Sequence, residues 1–352
     1  MPAPESPTPQ PATPQPSAPA WQPVLAEHRH IPGILALYQT VWGRPIAEDE
    51  LRWKLFDGPY GPLASVAMIE ERCVGLYAVI PTPLLLDGAP VMGAQSVDTM
   101  THPEFRRQNM SVTLARHCYA EATRRGYAIV YGVPNENSYP MFMSKLGWRH
   151  LDTMTRLARP LAAPRAVPGL LAPLADAVIG AQVRLSGATA PVHLDRVGRG
   201  THFVPPPLVG GAARCRVHHT PEWLAWRYGA EPGASHERLV LGPQTAPEAL
   251  AVFDMARDDN DPTGRPLLRI SLLLGAPEAR ARAVRALLRL GLERGARSAI
   301  FVSSDPETHA LLRPLGFRPR EGMPLAFGAL ARPMEHLPDR AGEMAFEGGD
   351  RD

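Results

Sequence analysis

The chain has 352 residues, with 37 Lys and Arg against 35 Asp and Glu for a formal net charge of +2, and 45% of it is apolar. That is enough for one large or two ordinary buried cores, and the near-neutral balance gives no general electrostatic reason to bind nucleic acid or a membrane surface. Three cysteines (Cys73, Cys118, Cys215) are too scattered and odd in number for a disulfide framework or a cysteine zinc site, so no metal is expected and a reducing cytoplasm is the simplest compartment.

Residues 1–23 hold nine prolines and lack a basic start or an apolar run, so they read as a disordered tail and not a secretory signal. No stretch of 18 apolar residues is present, so no transmembrane helix is expected. From there, spacing predicts helices over 31–43, 48–56, 111–125 and 138–146. Strands are predicted over 64–70, 74–81, 91–101, 128–133 and 150–159, the second of them a nearly continuous apolar run suited to a central strand. Residues 80–93 are expected to form a loop. An Ala-, Pro- and Leu-rich connector over 161–192 contains a helical pattern near 170–185, and the end of the chain, from 335 and most clearly from 342, reads as a loose tail.

The same order of features then recurs. Leu51-Arg-Trp53-Lys54 before a Gly/Pro turn is matched by Leu224-Ala-Trp226-Arg227 before another, and Leu146-Gly147-Trp148 is matched by Leu315-Gly316-Phe317. Each copy carries a helix, a Gly and a short apolar strand ahead of its last helix. Four matches in one order predict a duplication, with units over 24–160 and 193–334, each α/β with a mixed sheet. Thr220 and Asp305, each followed by Pro, read as helix N-caps. The same reading makes His218 and His219 the lead-in to a helix and not metal ligands. His102, His117, Trp53, Trp226 and Cys118 read as ordinary surface or core residues.

The segment most suggestive of chemistry runs from Ser96 to Ser111 and into the following helix. A strand, a tight polar loop and a helix start leave unpaired backbone N–H groups facing outward, which suits phosphate, and Arg106 and Arg107 add charge beside them. This segment resembles motif A of the Gcn5-related N-acetyltransferase (GNAT) superfamily, in which a strand ends in x-x-Pro-x-x-Arg-Gly-x-Gly-x-Gly. Pro103 and Arg106 match, while Asn109 and Ser111 replace family glycines or alanine. Tyr131-Gly-Val-Pro-Asn135-Glu-Asn137-Ser-Tyr139, leading to Gly147-Trp148, resembles motif B and a bacterial GNAT subgroup with a second, degenerate half.

The resemblance implies a tandem GNAT fold and direct transfer of an acyl group, with acetyl-CoA as co-substrate, to a primary amine of a small molecule or peptide. It implies cofactor contacts at Met100, Thr101, Arg106, Arg107, Gln108, Asn109, Met110, Ser111, Asn135 and Asn137. It also suggests Asp98 as base and Tyr139 as acid, although the family's usual acid position holds Met143 here. The second copy has no basic loop, and Glu278 stands in the turn where phosphate would sit, so it is expected to bind CoA poorly or not at all. Two alternatives stay open: a Fem-type aminoacyl-tRNA-dependent transferase, which the neutral charge disfavours, and a non-catalytic scaffold.

Overall fold

In the computed structural model, the described residues are 21–163, 167–185, 192–208, 211–257 and 264–350. The first 20 residues of the expected N-terminal tail lie outside them. Gln22 and Pro23, assigned to that tail, instead belong to strand β1 (Gln22–Leu25), which pairs antiparallel with β2 (Leu63–Ile69). Among the described residues no helix is long and apolar enough to cross a membrane.

The first half continues with helices α1 (Ile31–Trp42) and α2 (Glu48–Leu55) and the long strands β3 (Arg72–Leu86) and β4 (Ala89–Thr101). Helix α3 (Met110–Arg124), β5 (Ile129–Gly132), α4 (Tyr139–Leu146) and β6 (Arg149–Pro160) follow. Strand β3 is buried along nearly its whole length. Its alternate residues serve two cores. Leu76 and Ala78 pack under α1 and α2, and Tyr77 and Val79 pack under α3. The α3 stripe of Met110, Leu114, Ala115, Cys118 and Ala122 recurs at helical spacing and fills the second core.

Residues 80–93 are not the loop that the sequence suggested. They form the far end of the β3–β4 hairpin, with Ile80 opposite Gln95 and Leu86 opposite Ala89. The prolines that argued for a loop, Pro81 and Pro83, lie between the end of β2 (opposite Val79) and the start of β8 (Cys215–Val217, opposite Leu84). On that edge Pro81 faces neither strand, and at Pro83 only the carbonyl is used, accepting from His218 N at 2.8 Å, so the missing N–H groups leave no ladder bond unmade.

After α5 (Ala172–Leu185), the second half contains β7 (Val192–Arg196), the short helix α6 (Pro221–Leu224), β9 (Glu237–Leu241), β10 (Ala249–Ala256) and β11 (Leu267–Gly275). Helix α7 (Pro277–Glu293), β12 (Ser298–Ser303), α8 (Pro306–Leu312), β13 (Arg318–Ala329) and β14 (Met344–Ala345) complete it. Thr220 caps α6 through Trp223 N, and Asp305 caps α8 through Glu307 N and Thr308 N, as expected.

The strand order is β1-β2-β3-β4-β5-β13-β6-β12-β11-β10-β9-β7. Read from either end it gives the same sequence of roles, except that the last strand of each half sits in the other half's sheet. Strand β13 lies between β5 and β6, and β6 lies between β13 and β12. Boundaries at 160 and 193 therefore do not separate two sheets. At the centre, Trp53 Nε1 donates to the Trp226 carbonyl and Trp226 Nε1 donates to the Trp53 carbonyl, both at 3.0 Å. The two indoles stack with centroids 5.4 Å apart, which places the matched tryptophans across a local twofold relation.

The expected loose tail is also packed. Met344 and Phe346 are buried, β14 pairs with β8, and Asp350 is 2% exposed.

Candidate active site

Strands β4 and β5 run parallel but are paired only at Ala94–Val130 and Gln95–Tyr131. Beyond that point they part. A bulge in β4 contributes, because Val79 faces Ser96 and Tyr77 faces Thr99, leaving Val97 and Asp98 opposite the single residue Ala78. The opening is a cleft lined by Ser96 and Thr99 of β4, Gly132 of β5, Asn135, Phe142 and Trp148. Gly132 keeps it open: a Cβ there would lie 3.2 Å from the Ser96 carbonyl oxygen and 3.4 Å from Ser96 Cβ.

Beyond the end of β4 lies the loop that the sequence singled out. Arg107 (φ 65°) and Asn109 (φ 56°) both hold the left-handed conformation, and Asn109 is the N-cap of α3. Glycine adopts this backbone freely, whereas other L-residues pay roughly 1–2 kcal/mol for it. The loop thus keeps a glycine-type path without glycines. Asn109 had been noted as a glycine replacement, and the backbone adds Arg107. The side chains of Arg106, Arg107 and Asn109 are exposed. The Gln108 amide oxygen accepts from Trp21 Nε1 at 3.2 Å, which ties the loop to the start of β1. Met110 is buried, so only its backbone faces the loop. Ser111 Oγ lies 3.0 Å from Thr101 Oγ and joins the helix start to the strand end. Met100 is likewise buried, beneath α1 and α2.

Two assignments need correcting. Asp98 does not line the cleft. Its carboxylate is 5% exposed, pairs with Lys54 Nζ at 2.9 Å, and accepts a hydrogen bond from the Tyr38 hydroxyl. A buried carboxylate neutralised by a lysine is a structural ion pair and not a base open to substrate. Tyr139 is not in the cleft either. The cleft-facing positions are Ser138, the N-cap of α4, and Phe142 within it, and Tyr139 points toward β6, where its hydroxyl lies 3.0 Å from His150 Nδ1. Asn135 does line the cleft, but its side-chain oxygen accepts from Asn137 N and Ser138 N and so shapes the turn before α4.

Sequence reading overlooked a buried hydroxyl chain. Trp148 Nε1 donates to Tyr119 Oη at 3.1 Å, Tyr119 and Tyr77 hydroxyls are 2.8 Å apart, and Tyr77 donates to Ser96 Oγ at 2.9 Å. Burial pushes both phenols above their ordinary pKa. The four residues are spread over 77–148 and form no motif, so no local signal marked them.

The second half has a matching gap. Strands β11 and β12 pair from Leu267–Ser298 to Ile270–Phe301 and then separate. Here residues 344–350 enter the opening. Glu347 bridges to Ser303, its carboxylate accepts from Leu273 N at 2.8 Å, and Arg227 Nε donates to the Gly349 carbonyl at 3.0 Å. Gly349 is required there, since a Cβ would meet Tyr228 Oη at 2.0 Å and the Ser271 carbonyl at 2.7 Å. His219, in the lead-in to α6, pairs with Asp350 Oδ1 at 2.6 Å. Among the described residues no group of three or more His, Cys, Asp or Glu side chains could hold a metal.

The site thus combines a mixed sheet whose parallel strands β4 and β5 splay, a loop with left-handed residues and a helix N-terminus. Residues 25–151 match the family model described as an acetyltransferase (GNAT) domain. Similar solved structures include a GCN5-related N-acetyltransferase from Anabaena variabilis (13% identity, 88% of this chain and 73% of that one, TM-score 0.61). Another is a GCN5-related N-acetyltransferase from Kribbella flavida (14%, 89% and 72%, TM-score 0.59). A third is the Saccharomyces cerevisiae N-myristoyltransferase with bound myristoyl-CoA (11%, 90% and 79%, TM-score 0.56). At these identities the likeness is one of fold, and it extends over both halves. No curated protein matches by sequence.

Proposed function

We propose that the chain is an acyl-CoA-dependent N-acyltransferase that works from the first-half cleft, with acetyl-CoA as donor and a primary amine of a small molecule or peptide as acceptor. The observation that carries this reading is that β4, whose Ser96 and Thr99 line the cleft, runs on through Thr101 into the left-handed loop at 102–109 and the start of α3. Arg106, Arg107 and the free N–H groups at the start of α3 would hold the pyrophosphate. The unpaired edge of β4, through Met100 and Thr101, would hydrogen-bond the pantetheine, and the acyl group would enter between the strands. A cavity of about 170 Å³ with the Phe142 and Trp148 rings among its walls suits a short acyl chain. The amine would then attack the thioester directly, forming the C–N bond as the C–S bond breaks. With Asp98 paired to Lys54, loss of the amine proton falls to water or to the acceptor's own surroundings.

We also read the two halves as products of a duplication whose second copy has lost its cofactor. The palindromic strand order and the reciprocal Trp53–Trp226 bonds support this, and so does the absence of a basic loop before α7.

Calorimetric titration with acetyl-CoA tests the donor. One site is expected, with affinity at least 10-fold weaker in the Arg106→Glu/Arg107→Glu double variant, because two phosphate contacts become repulsions. No binding heat at millimolar acetyl-CoA would overturn the reading, and an unchanged affinity in the double variant would move the site elsewhere.

A further inference from the structure

The hydroxyl chain behind the cleft has a fixed direction. An indole N–H can only donate, so Trp148 takes up an acceptor position on Tyr119. Tyr77 donates to Ser96, so in the 2.8 Å contact between the two phenols Tyr119 donates and Tyr77 accepts. Every proton in the chain is thereby committed toward Ser96. The proton of Ser96 itself is left over, and Ser96 lines the cleft opposite the bare Cα of Gly132. The chain is enclosed by aromatic rings: Tyr77 meets Tyr119 at 5.6 Å and Phe142 at 6.4 Å, and Phe142 meets Trp148 at 4.2 Å. Water therefore competes poorly for these bonds, and the orientation is built in before any ligand arrives.

We propose that Ser96 is a catalytic hydrogen-bond donor aimed at the reacting thioester, and that Tyr77, Tyr119 and Trp148 are the positioning residues that hold it as a donor. This rests on the acyltransferase reading. In the reaction, negative charge builds on the thioester as the amine adds and then leaves with the CoA sulfur. A preset hydroxyl donor stabilises that charge without transferring its own proton, so no proton has to be replaced through the chain. Ser96 does not take the acid role suggested for Tyr139; the departing CoA thiolate takes its proton from solvent.

The test uses the full chain, acetyl-CoA and a panel of primary amines, with thiol release as the readout. Ser96→Ala is expected to lower kcat by about 10- to 100-fold, somewhat below the loss for a full oxyanion donor, with KM for acetyl-CoA changed less than about 2-fold. Ser96→Thr, which keeps the hydroxyl, should recover most of the rate. Tyr77→Phe should lower kcat by a smaller factor, and the Ser96→Ala/Tyr77→Phe double variant should be no slower than Ser96→Ala alone, because Tyr77 acts through Ser96. Wild-type turnover together with an unchanged kcat in Ser96→Ala overturns the proposal alone, and so do additive losses in the double variant. No thiol release by the wild type with any amine overturns the acyltransferase reading and this proposal together.

Discussion

The two clefts differ in what fills them. Both arise where a parallel strand pair stops pairing, β4 from β5 and β11 from β12. In the first half the gap opens to a long loop with two left-handed residues and two exposed arginines. In the second half β11 is followed almost at once by α7, and the gap is taken by residues 344–350. The matched cations diverge accordingly. Lys54 neutralises the buried Asp98, whereas Arg227 holds the Gly349 carbonyl of the inserted segment. On the proposed function, strand splaying alone does not make a cofactor site. A cleft must also be left empty and given a charged entrance.

The comparison can be broken most directly by removing the insert. A chain ending at Glu343 gives up two fully buried apolar side chains, Met344 and Phe346, and is expected to lose about 3–6 kcal/mol of stability in urea unfolding. It should still bind one acetyl-CoA, because the second cleft has no basic loop. A second calorimetric site would show that the segment, and not the missing loop, had been keeping the cofactor out.

Asp98→Asn tests the counterpart in the first half. It removes the charge of Asp98 from beside the buried Lys54 and should cost about 3–5 kcal/mol, measured by the same unfolding. A base role predicts instead a loss of rate at near-normal stability, which would restore Asp98 to catalysis.

The insert should also make stability depend on pH. Burial, reinforced by the Asp350 carboxylate, pushes Glu347 up to about 8 from an ordinary 4.5, against the opposing pull of Arg280 and His219. Burial opposes charge on His219 most strongly, but the charge and hydrogen bond of Asp350, together with Glu347, outweigh it and hold its pKa above 6.5. Both groups keep protons in the folded chain that they release when it unfolds. Their stabilisation is complete below pH 4.5 and is lost as pH rises toward 8 for Glu347, and from 6.5 upward for His219. Melting temperatures taken across that window should fall, and the fall should be shallower in Glu347→Gln. An unchanged slope in that variant would assign the dependence to other groups.

The smallest effect concerns the first-half loop. Asn109→Ile places a β-branched residue at φ 56° and should destabilise by about 1–2 kcal/mol, while Asn109→Gly should be nearly neutral. Equal stability in the Ile variant would mean that the loop can adopt another path.

Much of this was legible in the sequence, for identifiable reasons. The helices end at Gly43 and Gly147, both left-handed caps, and the β3 run and the α3 stripe follow their periods. The Pro103-to-Ser111 frame located the loop because its backbone demands sit within nine residues. What escaped notice depends on distant partners. Pro81 and Pro83 looked like loop punctuation until the gap between β2 and β8 explained them. Tyr139 was assigned by its proximity in sequence, but one position on a helix decides whether a side chain meets the cleft or His150. The Gly- and acid-rich end of the chain has the composition of a tail, and only the gap between β11 and β12 gives it a place.

The exchanged strands bear on how such a chain is made. Until residue 329 has left the ribosome, β5 lacks its neighbour β13, and the first half exposes an open sheet edge. A nascent chain of this design must carry that edge through the synthesis of nearly 200 further residues, a period in which pairing with another molecule competes with completing its own fold.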